Sequence, residues 1–202
     1  NHVLEELPTL AAEAQFSGNL KQILIDKFAL YTPDRSMVLE APLTIRHLEN
    51  PAQRTIKADI RNLRITPAGL KQLSEWTSND KISISPYLQA IGTLEVTGAL
   101  SYRSQYLKSH LNLHTDLGSL ALSGSFAKGN EIEAEVHTPG FQLGKLTGRE
   151  EQFGETAFDL SGKGLLRSGA YPAFSLQGTI GRLSYNPVSY THLRAHETGA
   201  YL

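Results

Sequence analysis

Leu94-Glu95-Val96-Thr97-Gly98-Ala99-Leu100 alternates apolar with polar residues and carries a glycine where one of the apolar side chains belongs. In an extended strand this period of two puts Leu94, Val96, Gly98 and Leu100 on one face, with Glu95 and Thr97 on the other. The phrase returns as Leu120-Ala121-Leu122-Ser123-Gly124-Ser125-Phe126, as Phe158-Asp159-Leu160-Ser161-Gly162 and as Phe174-Ser175-Leu176-Gln177-Gly178-Thr179-Ile180. A glycine on the apolar side opens a gap in the side-chain layer, where a sheet bends or another group lies against the backbone. The repetition predicts a mainly β protein whose bent sheet is apolar on one side.

The neighbouring segments carry the same alternation. Leu107, Ser109, Leu111 and Leu113 oppose Lys108, His110, Asn112 and His114; after a turn at Lys128-Gly129-Asn130, Ile132, Ala134 and Val136 oppose Glu131, Glu133 and Glu135. Pro139-Gly140 reads as an interruption, 141–146 and 148–154 as irregular or only weakly paired, and two further strands fall near 155–167 and 173–185. Toward the N-terminus, 56–65 forms a strand, and 20–31 and 37–46 form a hairpin around Thr32-Pro33-Asp34-Arg35. Pro42 places the second of those strands at an edge or a bulge. Thr66 as N-cap, Pro67 at the first helical position and Leu70, Leu73 and Trp76 on one face predict a short helix near 67–76. Ile82 and Ile84 lead out of it toward Pro86, and residues 1–19 read as a linker or short helix. The pattern gives about ten strands and one helix.

The chain has 202 residues and a formal charge of −1. Without a basic excess, and with 8% aromatic residues, a nucleic-acid-binding surface is disfavoured. The absence of cysteine excludes disulfides and thiolate metal sites. Residues 188–202 (beginning Val188-Ser189-Tyr190-Thr191-His192) look like a translated sequencing adapter. They are read as a non-native tail, which removes His192 and His196 from consideration as metal ligands.

No catalytic constellation assembles. His110 and His114, four apart on a strand, are separated by roughly 13 Å, too far to share a metal. Glu131, Glu133 and Glu135 read as a solvated charge row. There is no G-x-S-x-G, phosphate-binding loop or dinucleotide fingerprint. The chain reads as a non-enzyme that needs no cofactor and no metal. Its apolar face carries more large side chains than one three-turn helix can cover. Two arrangements satisfy that: a closed sandwich or barrel with a packed core, as in a plain structural or adhesive β-domain, or a trough left open to apolar ligands.

Ile65-Thr66-Pro67-Ala68-Gly69-Leu70, Pro86-Tyr87-Leu88 and Ile91-Gly92-Thr93-Leu94 running into Thr97-Gly98 resemble the repeating unit of TamB-like proteins, part of the AsmA-like group. Asn112-Leu113-His114-Thr115-Asp116-Leu117-Gly118 and Phe141-Gln142-Leu143-Gly144-Lys145-Leu146 extend the likeness, in the Bacteroidota style, over roughly residues 20–186. The resemblance implies an elongated, curled, taco-like β-sheet with a hydrophobic groove. It implies a periplasmic protein anchored in the inner membrane of a diderm bacterium, which carries phospholipid between the membranes and supports outer-membrane biogenesis. The alternative it implies is a scaffold or chaperone for outer-membrane β-barrel and autotransporter assembly by strand pairing. On this reading the chain is an internal fragment, and both the anchor and the region meeting an outer-membrane barrel partner lie outside it. The residues assigned to line the groove for acyl chains are Leu94, Val96, Leu100, Leu111, Leu113, Leu120, Leu122, Phe126, Ile132, Val136, Leu160, Phe174, Leu176 and Ile180.

Overall fold

The computed structural model describes residues 10–77, 89–128, 130–165, 173–186 and 188–199. Alternation produces what it predicts, a mainly β chain built as one antiparallel sheet. Twelve strands follow in order: β1 (Ala11–Asn19), β2 (Gln22–Tyr31), β3 (Met37–Glu40), β4 (Leu43–Arg46), β5 (Thr55–Ile65), β6 (Leu94–Arg103), β7 (Tyr106–Thr115), β8 (Gly118–Ala127), β9 (Glu131–Gln142), β10 (Phe153–Leu165), β11 (Ala173–Tyr185) and β12 (Val188–Gly199). Each pairs with its neighbour in sequence, except that β3 and β4 both lie between β2 and β5.

Pro42 accounts for that exception. Lacking an N–H, it cannot continue a ladder, so the segment 37–46 splits into two short strands with Ala41-Pro42 between them. Ala41 N–H donates instead to the Phe28 carbonyl, and the Pro42 carbonyl accepts from Asp59 N–H. The break is therefore internal to the sheet and not at an edge, and Ile25, Ala41 and Ile60 are buried around it.

Three other expectations are corrected. Residues 11–19 form β1, paired with β2 through a shift at Gln15/Phe16, where a linker or helix was expected. Small Ala and Gly residues give that stretch little period of its own, and pairing supplies the order. Pro139-Gly140 does not end a strand; β9 passes through it by shifting register against both β8 and β10. Beyond it, 141–154 is ordered: β9 runs to Gln142, α2 (Leu143–Thr147) follows, and β10 begins at Phe153. The Gly148 left-handed φ of 67° and the Arg149 N–H to Gly144 carbonyl bond close α2. Residues 188–199, which the sequence reads as a non-native tail, pair with β11 as β12, an arrangement that bears on their conformation and not on their origin. The segments at 82–84 and 86–88 lie outside the described residues.

The helix α1 (Pro67–Thr77) starts as predicted: Gly69 N–H donates to the Thr66 hydroxyl at 3.3 Å. Leu70 is buried, while the Trp76 side chain lies outside the described residues. Because every strand reverses the last, except β4, which continues in the direction of β3, α1 and α2 fall at the same end of the sheet. The tight hairpins 19–22, 103–106 and 127–131 and the loop 47–54 fall at the other. Most of the deeply buried side chains gather at the helical end, among them Thr32, Met37, Leu70, Leu117, Thr138 and Phe141. Thr138 is satisfied there by donating to the Ser119 carbonyl at 2.7 Å and accepting from Gly140 N–H.

Candidate functional site: the apolar face of the sheet

Register decides whether the apolar side chains of separate strands form one surface. Cross-strand partners share a face, so each rung can be followed across the sheet. One rung reads Ile60, Gly98, Leu111, Leu122, Val136, Leu160, Gly178; the next reads Ala58, Leu100, Ser109, Gly124, Ala134, Gly162, Leu176. Nearest the hairpin end runs Ile56, Tyr102, Leu107, Phe126, Ile132, Gly164, Phe174, and toward the helices Leu63, Val96, Leu113, Leu120. Leu94 stands opposite Ile65, and Ile180 opposite Phe158. All fourteen residues assigned from sequence therefore lie on the same side. From β5 to β11 the surface extends about 29 Å across the strands, at about 4.8 Å per strand.

No second sheet packs on this surface among the described residues. Beyond neighbouring strands, the main contacts are α1 with β5 and α2 with β10, and β1 does not pair with β12. A closed barrel or a two-sheet sandwich is thus not the arrangement. Val96 is buried and most of the other lining residues are half-buried, whereas Leu107, Phe126 and Leu176 toward the hairpin end are 39%, 38% and 42% exposed. The backbone of Phe174 continues the rung; its side chain lies outside the described residues.

The four repeated glycines behave differently from one another. Gly98 has a φ of 138°, and a Cβ there would collide with the His110 carbonyl oxygen. At Gly178 it would collide with the Leu160 side chain and the Asp159 carbonyl, so Leu160 occupies that gap. Leu176 approaches Gly162 more loosely, with Cδ1 3.5 Å from the Cβ position. Gly124 stands between Ser109 and Ala134, and its gap is bounded by the Ser109 hydroxyl.

The opposite face is polar. His110 and His114 lie there, hydrogen-bonded through Nδ1 to Ser123 (2.7 Å) and Ser119 (2.8 Å). His137 bonds Asp159, and Arg182 bonds Glu155. Glu131, Glu133 and Glu135 are exposed, and Glu133 meets Lys163 at 2.9 Å, a hydrogen bond that raises the Lys163 pKa. Among the described residues no three His, Asp or Glu side chains converge as metal ligands, and no helix is long and apolar enough to cross a membrane.

Comparison of the chain with protein-family models, with curated proteins and with solved structures returned no match.

Proposed function

We propose that this chain is a segment of a TamB-like, periplasm-spanning protein that carries phospholipid between the inner and outer membranes, with acyl chains lying on the apolar face of the sheet. The single observation behind this reading is the apolar surface that runs through β5 to β11 with no second sheet on it among the described residues. Its extent of about 29 Å exceeds the roughly 15 Å of one leaflet's hydrocarbon, so it offers an acyl chain a path and not merely a pocket. Apolar contact of this kind is non-directional and unselective, which suits movement along a track. Headgroups stay in water, and no cofactor or catalytic group takes part. The full-length protein is placed in the periplasm with an inner-membrane anchor, its outer-membrane barrel partner meeting regions beyond this segment.

Native mass spectrometry of the purified chain tests the reading. Bound phospholipid is expected on the parent and is lost in Leu122→Asp, which puts a carboxylate between Leu111 and Val136. Undiminished lipid in a folded Leu122→Asp variant refutes it. One observation favours a second reading, a scaffold for barrel-protein assembly: β1 is bonded on one side only and is almost wholly exposed. That activity would survive Leu122→Asp and be abolished by a proline within β1.

A further inference from the structure

The polar face carries a cavity of about 560 Å³ at the hairpin end of β4, β5 and β6. Its floor is fixed by register. Arg46 and Arg103 stand on either side of Thr55, and Thr44 and Ser101 on either side of Lys57, one rung away. Two cationic side chains thus flank a central hydroxyl across about 10 Å, with a third cation beside them. The wall is the loop 47–53, contributing His47, Ala52 and Gln53. Ser104 ties that loop to the β6–β7 hairpin by donating to the Ala52 carbonyl at 2.7 Å, and Arg54 holds it from below through the Leu48 carbonyl at 2.9 Å.

No carboxylate lines this cavity. The acids further along the same strands are engaged elsewhere, Asp59 with Arg61 at 3.7 Å and Glu95 with Arg64 at 3.5 Å. Arg46, Lys57 and Arg103 have no ion pair among the described residues. In a chain of net charge −1, three unpaired cations around a walled hollow are a local reversal of sign that concentrates anions. Guanidinium groups on two sides, an ammonium on a third and hydroxyls beneath match a tetrahedral oxyanion with several acceptor oxygens better than a planar carboxylate with two. The volume exceeds that of a bare anion and admits a substituent.

We infer that this cavity binds a phosphate group, free or as the headgroup of a phosphomonoester lipid. Arg46 and Arg103 clamp the oxygens and Lys57 supplies charge, over a floor formed by Thr55, whose hydroxyl donates to the Gln53 carbonyl at 3.4 Å. The site lies on the face opposite the apolar surface and is independent of what that surface carries. Titration calorimetry of the intact chain with inorganic phosphate should show saturable binding. Arg46→Gln and Arg103→Gln should each weaken it by about ten-fold or more, and Arg64→Gln should leave it unchanged. Dihexanoyl phosphatidic acid, tested alongside, binds more tightly than phosphate if the natural source is a lipid headgroup and no more tightly if it is free phosphate. Amide shifts of the unmodified protein give a readout that needs no variant: phosphate should move Thr55, Lys57 and Ser101 and spare Asp159. Absence of saturable binding, binding undiminished in Arg46→Gln/Arg103→Gln, or shifts centred elsewhere would overturn the assignment.

Discussion

Replacing Gly98 and Gly162 by alanine, one at a time, separates two roles that the repeated phrase makes look alike. At Gly98 the φ of 138° is a conformation that side chains resist, a cost of about 1–3 kcal/mol. The new Cβ also drives into the His110 carbonyl oxygen, which disturbs β6–β7 pairing and loses a hydrogen bond of about 1 kcal/mol. Against this stands the reduced freedom of the unfolded chain, a gain of about 0.4–1 kcal/mol. The balance is a destabilisation of about 2–3 kcal/mol, which at about 2–4 °C per kcal/mol lowers the melting temperature by roughly 4–12 °C. Gly162 has ordinary backbone geometry, and its nearest neighbour leaves 3.5 Å for a Cβ, so alanine there keeps the unfolded-state gain and is neutral or slightly stabilising. Urea and thermal unfolding followed by far-ultraviolet circular dichroism measure both. Gly98→Ala within about 0.5 kcal/mol of the parent, or Gly162→Ala as damaging as Gly98→Ala, would refute the reasoning.

Two further outcomes follow from the helical end. Asp34 is held down to a pKa of about 2 by hydrogen bonding from the Thr32 side chain, then from the Ser36 amide and hydroxyl, with Gln72 adding a smaller share. A depressed carboxylate contributes stability that is complete above its ordinary value near 3.8 and is lost as pH falls through about 2, so Asp34→Asn should flatten the acid-unfolding curve between those limits while other carboxylates keep theirs. Thr138→Val keeps the shape of a side chain 1% exposed but leaves the Ser119 carbonyl and Gly140 N–H without its hydroxyl, and should cost about 1–3 kcal/mol in urea unfolding.

Which residues share the apolar face was legible in the sequence because, between bulges, the face of a strand residue follows its parity within the strand. Leu94 through Ile180 could be assigned to one side without knowing which strands pair, since every hairpin preserved the alternation. The helix was legible for the same kind of local reason, with Thr66 and Pro67 as start signals. Short or interrupted segments were not: β1 has little alternation among its alanines, and α2 is held by Gly148 and by packing against β10 rather than by its own period. The phosphate cavity was missed as well. Arg46, Lys57 and Arg103 form no motif along the chain, and the only signal open to a reader was three cations near strand ends that would have to be brought into register.

The sequence alone thus determined that this protein is a sheet with one apolar and one polar face, because alternation is written residue by residue. The tertiary structure decided that the strands form a single sheet with no second sheet on it among the described residues, that Pro42 breaks an interior strand, and that Gly98 is required where Gly162 is permitted. It also set Arg46 and Arg103 around Thr55. Those outcomes rest on inter-strand register, which is fixed by turns and bulges acting between residues distant in the chain.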